Sequence, residues 1–250
     1  MLTEERQRLI LEKLKTDSAV YVADLVDYLE ASESTIRRDL NALHNKGLLK
    51  KVHGGATLIN DKKINTKEQV VEFRKNLNLE EKKKIAIKAA SLIEPGDIVY
   101  IDAGTTTELM IKYISEKDAL YVTNGVVHAR SLAENNLKTI IVGGELKAVT
   151  EAIVGIEALK SIKKYNFTKG FFGTNGVDVL RGFTTPDINE ALLKEEVIKR
   201  CKKSYVLCDS SKIGEISSIT FSDIDAAVII TTNLDNKSFK DKAEIMEVDV

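Results

Sequence analysis

The chain has 250 residues, 43% of them hydrophobic and 30% charged, with a formal net charge of −1. That apolar share supports a real core, and the charged share argues for a soluble surface rather than disorder. No run approaches the ~18 apolar residues of a membrane span, and near-neutrality gives no global sign of a polyanion binder.

The length leaves room for one large domain, or for a small one plus a medium one. The opening MLTEERQR is charged and has no apolar signal core, so a cytoplasmic protein is expected. Cys201 and Cys208 lack a second pair. They read as small buried hydrophobes in a reducing compartment rather than as a metal or disulfide site. No metal and no cofactor are expected.

In chain order, residues 3–16 read as a helix. Thr3 is placed to cap it, Glu4 and Glu5 occupy its first turn, and Ile10 and Leu14 share a face. Residues 22–29 read as a second helix with Leu25, Val26 and Leu29 inward, and Glu30 and Ala31 form the turn that follows. The next stretch, 32–55, carries the sharpest pattern. Ser32 is a good N-cap, Glu33 suits the positive end of the helix dipole, and Gly47 suits a left-handed position just past the helix end.

Ile36, Leu40 and Leu43 make one apolar stripe, and the opposite face carries Ser34, Arg38, Asn41 and Asn45, flanked by Thr35 and Arg37. Hydroxyl, amide and guanidinium groups are the side chains that reach base edges and phosphates in a major groove. Residues 48–53 read as a β-wing closed by Gly54 and Gly55. Its Lys50, Lys51 and His53 are candidates for phosphate contact, although His53 equally fits an ordinary surface loop. Charge is locally uneven: residues 34–55 hold Arg37, Arg38, Lys46, Lys50 and Lys51 against Asp39, whereas acids outnumber bases in residues 1–33. A positive face on a neutral chain suits groove docking. Taken alone, the pattern also fits a solvated amphipathic helix.

Residues 58–74 are polar and lysine-rich and read as a linker between domains at 1–57 and 75–250. Asn78 with Glu81 has the spacing of a capping box. Ile85, Ala89 and Leu92 mark a buried helix face, which Pro95 and Gly96 end. Apolar strand-like runs at 98–101, 120–122, 139–142, 170–172, 205–208 and 227–230 then alternate with helical stretches, the signature of a largely parallel α/β sheet.

Each of these strands that leads into a loop ends in Gly, Thr, Asn, Asp or Ser, and ligands of open α/β sheets bind at strand carboxyl ends. Gly104, Thr105, Thr106 and Thr107 offer a close backbone approach and hydroxyls before a helix, which suits a phosphate. Neither a Walker pattern nor GxGxxG is present, so a small phosphorylated ligand is favoured over a nucleotide. Lys212, beside Ser210 and Ser211, adds a cation. By themselves these residues also fit a plain strand-to-helix turn and a surface lysine.

Two long matches extend this reading. EERQRLILEKL at 4–14 and the run at 22–56, above all STIRRDL and KVHGGA, resemble the helix-turn-helix domain of the DeoR family of bacterial sugar-operon repressors. The run NLEEKKKIAIKAASLI, followed by IDAGTTT, VTN, GG, FGTNGV and CDSSK, resembles that family's effector-sensing domain, itself similar in fold to ribose-5-phosphate isomerase and glucosamine-6-phosphate deaminase.

The resemblance implies an N-terminal winged helix-turn-helix plus a larger α/β sensor. Its effector site would involve Asp102, Gly104, Thr105, Thr106, Thr107, Thr123, Asn124, Gly143, Gly144, Glu190 and Lys212. The segment 182–187 with Glu190 resembles the fructose-operon branch, which implies fructose 1-phosphate as effector. In that picture the phosphate sits on residues 104–107 with Lys212, and Thr123, Asn124 and Glu190 read sugar hydroxyls. An isomerase is the alternative, because Asp102, Glu190, Asp209 and Lys212 could serve enediolate chemistry. Residues 1–56 have no role in such chemistry, so a repressor without catalysis is expected. Operator DNA, a phosphorylated sugar and further copies of the chain (as dimer or tetramer) are the expected partners, with no membrane.

Overall fold

Ile10, Leu14, Leu25, Leu29, Ile36, Leu40 and Leu43 are fully or almost fully buried, and their helical spacing explains why three short helices share one core. The computed structural model describes residues 2–17, 19–46, 48–52, 54–57, 64–66, 71–232, 234, 239 and 241–249. The chain forms two units, residues 1–63 and 64–250.

The first unit comprises α1 (Thr3–Asp17), β1 (Ala19–Tyr21), α2 (Val22–Leu29), α3 (Glu33–Asn45), β2 (Lys50–Val52) and β3 (Gly55–Thr57). Thr3, expected as a cap, is instead the first helical residue of α1. Ser32 does cap α3: its hydroxyl accepts from the Thr35 amide at 3.3 Å. Glu30, at φ 47°, makes the left-handed turn before it. The wing is a three-stranded sheet in the order β1-β3-β2. Gly54 and Gly55 do not close it. Gly54 turns the chain at φ 82°, and Gly55 opens β3. A Cβ on Gly55 would lie 2.1 Å from the Val20 carbonyl oxygen, so only glycine lets β3 lie against β1. Gly47 and His53 lie outside the described residues.

Asp39 is buried on the inner side of α3. Arg6 Nε donates to its Oδ2 at 2.5 Å and Gln7 Nε2 to its Oδ1 at 3.2 Å, so two residues of α1 fix the rotation of α3.

Near the start of the second unit the Asn65 amide donates to the Ile216 carbonyl at 2.9 Å. Next come α4 (Val71–Asn76), which occupies part of the stretch expected as a linker, and α5 (Leu79–Ala90). The capping box expected of Asn78 and Glu81 does not form. Asn78 is left-handed and donates to Asp209 at 2.8 Å, and Glu81 accepts from the Ser210 amide at 2.9 Å and the Thr232 hydroxyl at 2.5 Å. These two side chains tie the start of α5 to distant loops instead.

The remaining elements are β4 (Ile98–Ile101), α6 (Thr105–Ile111), β5 (Leu120–Thr123), α7 (Val126–Glu134), β6 (Lys138–Ile141), β7 (Glu145–Lys147), β8 (Ala152–Val154), α8 (Ile156–Ile162), β9 (Phe167–Gly173), β10 (Gly176–Asp178), β11 (Gly182–Thr185), α9 (Ile188–Ile198), β12 (Cys201–Leu207), β13 (Ile219–Ser222), β14 (Val228–Thr232) and β15 (Ile245–Val248). Seven strands form one parallel sheet in the order β15-β14-β12-β9-β4-β5-β6.

Alternate side chains feed opposite faces. Tyr100, Val122, Phe172, Val206 and Ile229 pack towards α8 and α9, while Val99, Ile101, Tyr121, Phe171, Tyr205 and Leu207 pack towards α5, α6 and α7. A small antiparallel sheet, β10-β11-β13, and the hairpin β7-β8 complete the unit. The chain leaves β4 in one direction for β5 and β6, and in the other for β9, β12, β14 and β15. The strand order therefore reverses between β4 and β9, and a crevice opens at their carboxyl ends.

Replacing Asp39 with alanine strands Arg6 against the core and frees α3 to rotate. The expected outcome is a loss of about 2–3 kcal/mol of stability, read as a lower urea midpoint for the isolated 1–63 unit or for the first transition of the whole chain.

Candidate functional site

The first candidate surface is the outer face of α3. Ser34, Arg37, Arg38, Asn41 and Asn45 are exposed, and Thr35 is half-buried with its hydroxyl 2.9 Å from that of Ser32. Arg37 is held by Glu33, with 2.5 Å between Nη2 and Oε1. Arg38 has no ion pair or side-chain hydrogen bond among the described residues, so its guanidinium is available to a partner. Lys51 donates to Asn41 at 2.7 Å, joining the wing to the helix, and Lys50 is exposed beside it. Helix face and wing together present one polar, cationic surface.

The second candidate is the crevice at the reversal of strand order. It is a solvent-open cleft of about 620 Å³. The loops after β4, β9 and β12 form its floor through Ala103, Gly104, Gly173, Thr174, Asn175, Cys208 and Asp209. Four cationic side chains line it: Arg74 from α4, Lys82 from α5, Lys194 from α9 and Lys212 from the turn after β12. A smaller solvent-open hollow of about 300 Å³ adjoins it, sharing Arg74, Gly104, Thr105 and Thr150 and reaching Glu108 and His128.

Of the residues expected here, Gly104, Thr105, Thr106, Glu190 and Lys212 line the cleft. The others are placed elsewhere. Asp102 is buried beneath the floor, where it pairs with Lys194 and accepts from the Gly173 amide at 3.0 Å. Burial pushes its carboxyl above the usual range, against the pull of the Lys194 ammonium. Thr107 is turned inward: its hydroxyl lies 2.6 Å from the Asp102 carbonyl oxygen and 3.1 Å from His128 Nε2.

Thr123 ends β5 and Asn124 follows it, one strand away from the reversal. The Thr123 hydroxyl donates to the Ile101 carbonyl at 2.6 Å, and Asn124 receives the Ala103 amide at 2.9 Å. They hold the floor loop from behind and do not face the cleft. Gly143 and Gly144 follow β6, two strands away. A Cβ on Gly144, at φ 156°, would lie 2.7 Å from the Val154 carbonyl oxygen. Glu190 does face the cleft, but it already accepts from Thr150 at 2.8 Å and Lys147 at 3.0 Å. The 182–185 part of the fructose-branch segment is the buried strand β11, outside the cleft lining.

Sequence reasoning missed Arg74, Lys82, Lys194 and His128. For two of them a signal existed. Lys82 stands on the same helical stripe as Ile85, Ala86 and Ala89, and is buried like them. Lys194 lies one helical turn after Glu190, on the same face. Burial lowers the Lys82 ammonium from its ordinary value; Lys212 and Arg74 push the same way, while Asp209 opposes. The cleft therefore gathers more positive charge than its own carboxylates compensate.

The DeoR C-terminal sensor domain family matches residues 77–233, and the DeoR-like helix-turn-helix domain family matches residues 6–62. The chain belongs to the DeoR family. One relative is the uncharacterized HTH-type transcriptional regulator FruR of Bacillus subtilis (strain 168), 46% identical over 98% of this chain and 96% of its own. The HTH-type transcriptional regulator GlpR of Haloferax volcanii is 36% identical over 93% and 91%. The lactose phosphotransferase system repressor of Streptococcus mutans is 31% identical over 93% of each chain.

A solved ribose 5-phosphate isomerase A from Methanocaldococcus jannaschii superposes at a TM-score of 0.41 with 15% identity, covering 54% of this chain and 55% of that one. As a DeoR-family protein this chain is a DNA-binding transcriptional regulator rather than an enzyme. Among the described residues, no helix is long and apolar enough to cross a membrane, and no group of three or more His, Cys, Asp or Glu side chains is placed to hold a metal.

His128 supports the floor loop of the DeoR sensor unit. Burial holds its imidazole down to about 4, against the hydrogen bond that its Nε2–H can donate to the Gly104 carbonyl, and Lys75 and Lys194 add to the lowering. The unfolded chain takes up a proton near pH 6.5, and the folded one resists until about pH 4. Stability is therefore fully present above pH 6.5 and falls as the pH drops through that window, by up to ~3 kcal/mol. In His128→Gln this part of the pH dependence should vanish. Urea midpoints of both proteins between pH 7 and pH 4 measure the difference.

Proposed function

We propose that this protein represses a sugar-utilisation operon and that a phosphorylated sugar, bound in the cleft of the sensor unit, releases it from operator DNA. The observation that carries this reading is the cleft's unbalanced positive charge at a strand-order reversal. Lys194 is taken up by Asp102, which leaves Lys82, Lys212 and Arg74 on the cleft wall with no ion pair among the described residues, beside Thr105 and Thr106. A dianionic phosphate relieves the mutual repulsion of these cations, and Glu190 is placed to exchange its present donors for sugar hydroxyls.

Fructose 1-phosphate is the favoured effector, on the likeness of residues 182–187 and Glu190 to the fructose-operon branch, with other ketose phosphates next. Its binding must differ between the DNA-competent and incompetent states. A tenfold loss of operator affinity needs only ~1.4 kcal/mol of coupling. A single winged helix makes few phosphate contacts, so two or four copies on repeated half-sites, spaced by one or more ~34 Å helical turns, fit the proposal.

Arg38→Ala should weaken operator binding by ~1–3 kcal/mol with relaxed sequence preference, whereas Lys50→Ala should weaken specific and non-specific DNA alike and flatten the salt dependence. Fluorescence anisotropy on operator and scrambled duplexes separates the two. A folded Arg38→Ala protein with unchanged operator affinity would remove α3 from the groove.

Titrating the operator complex with fructose 1-phosphate, fructose 6-phosphate, fructose 1,6-bisphosphate, tagatose 6-phosphate and free fructose tests the effector. Release by fructose 1-phosphate and a blunted response in Lys212→Ala are expected. Release by free fructose would reject the phosphate site, and release by another phosphorylated sugar alone would reject only the fructose assignment.

A further inference from the structure

We infer that the outward face of α8 and α9, with the adjoining β7-β8 hairpin, is where a second copy of this chain docks in an antiparallel two-fold arrangement. A helix face turned to water is ordinarily polar. Here Ile156, the first residue of α8, is 71% exposed, and Ile188, the first residue of α9, is 52% exposed. Leu192 follows Ile188 one turn later on the same side and is exposed too. Ala158 and Ile162 of α8, and Ala191 and Val197 of α9, already fill the core from the opposite side of each helix. The hairpin packs on both helices through β8, and Lys147 pairs with Asp187 at the start of α9. Its Leu146 and Val149 are both exposed. Single exposed apolar residues are ordinary, whereas five on adjoining elements make a patch of the kind that marks a protein contact.

Charge identifies the occupant. The two helices run parallel: each leads into one of two neighbouring parallel strands, β9 and β12, and Arg200 past α9 donates to the Lys163 carbonyl past α8 at 3.0 Å. Acids stand at the leading end of the face, in Glu157 and in Glu145 beside Gly155. Bases stand at the trailing end, in Lys163 and Lys164. Between them Glu157 pairs with Lys160 at 2.8 Å and Glu195 with Lys199 at 2.5 Å, so the apolar strip carries no net charge of its own. Glu145, Lys163 and Lys164 are exposed and have no ion pair among the described residues. A partner surface of one sign is repelled by one end of this face. An identical face turned through a half-rotation meets each end with the opposite sign. Glu145 of each copy then lies towards Lys163 and Lys164 of the other, and Ile156, Ile188 and Leu192 of both copies cover one another around the axis. The face supplies a pairing surface for the copies that the repressor reading calls for, and it stands whether or not the effector is a sugar phosphate.

The test is sedimentation velocity of the full-length protein without DNA or sugar. Wild type is expected to form a dimer, or a tetramer built from such dimers. The double variant Ile188→Glu/Leu192→Glu is expected to self-associate about 30-fold more weakly or worse. Ile87→Glu, a similarly exposed isoleucine on α5, is expected to assemble like wild type. Circular dichroism and melting temperature check that each variant is folded. A second arm leaves the apolar residues alone, and decides if the double variant does not fold. Glu145→Lys, and separately Lys163→Glu/Lys164→Glu, should each weaken self-association. Mixing these two proteins should restore it as a mixed dimer, because both cross-contacts then join opposite charges.

A wild-type protein that stays monomeric at the highest concentration reached overturns the inference and leaves the face to a different protein. So does a folded Ile188→Glu/Leu192→Glu variant that assembles like wild type, or an equal loss in Ile87→Glu. A mixture of the two charge variants that associates no better than either alone overturns it as well. Assembly through this face by a protein that binds no operator supports the inference and removes the repressor reading.

Discussion

The buried pair of Asp102 and Lys194 is the contact on which the sensor unit's geometry depends. It joins the end of β4 to helix α9 at the place where strand order reverses, and each partner also bonds the backbone of Gly173 at the end of β9. Removing two charges from water is expensive, and such a pair adds little net stability. Its value here is positional. The pair ties together the two neighbouring strand ends at the floor of the crevice. Because the two charges neutralise each other, they also leave the character of the cleft to Arg74, Lys82 and Lys212. The positive field that suits a phosphate is thus a remainder, set by which cations have partners and which do not.

That logic explains the division of labour among similar loops. The loops after β4, β5, β6 and β9 all carry Gly, Thr or Asn, and local sequence makes them look equivalent. Strand order does not treat them equally. Only β4 and β9, with β12 beside them, border the crevice. The polar groups after β5 are therefore spent on the backbone: Thr123 on Ile101, and Asn124 on Ala103. They keep the floor loop in the shape that exposes Thr105 and Thr106.

The alternation of apolar strands and helices was readable in the sequence because it is a local periodicity. Residues 98–101 appear as β4 without adjustment, and α2 has its expected bounds. Short strands such as β1, β7, β8 and β10 left no such trace, since three residues carry no period and their pairing is decided by distant partners. Asn78 and Glu81 show the opposite failure. Their spacing satisfied a local rule, but Asp209, Ser210 and Thr232 offered better partners from across the unit. Asp39 looked like one acid among bases, and only the fold brings Arg6 and Gln7 to it. Arg74 was hidden for the same reason: it stands among other charged residues, and its place in the wall of the cleft is what distinguishes it.

The energies involved fit a switch built this way. Repression and release differ by a modest coupling free energy, of the order of 1–3 kcal/mol. One charge-assisted hydrogen bond is worth ~1.5–3 kcal/mol. A ligand that supplies one such bond to Arg74, and removes the repulsion between Arg74 and Lys82, therefore gains enough differential energy without any rearrangement of the seven-stranded sheet. The sheet and its Asp102–Lys194 pair can stay rigid.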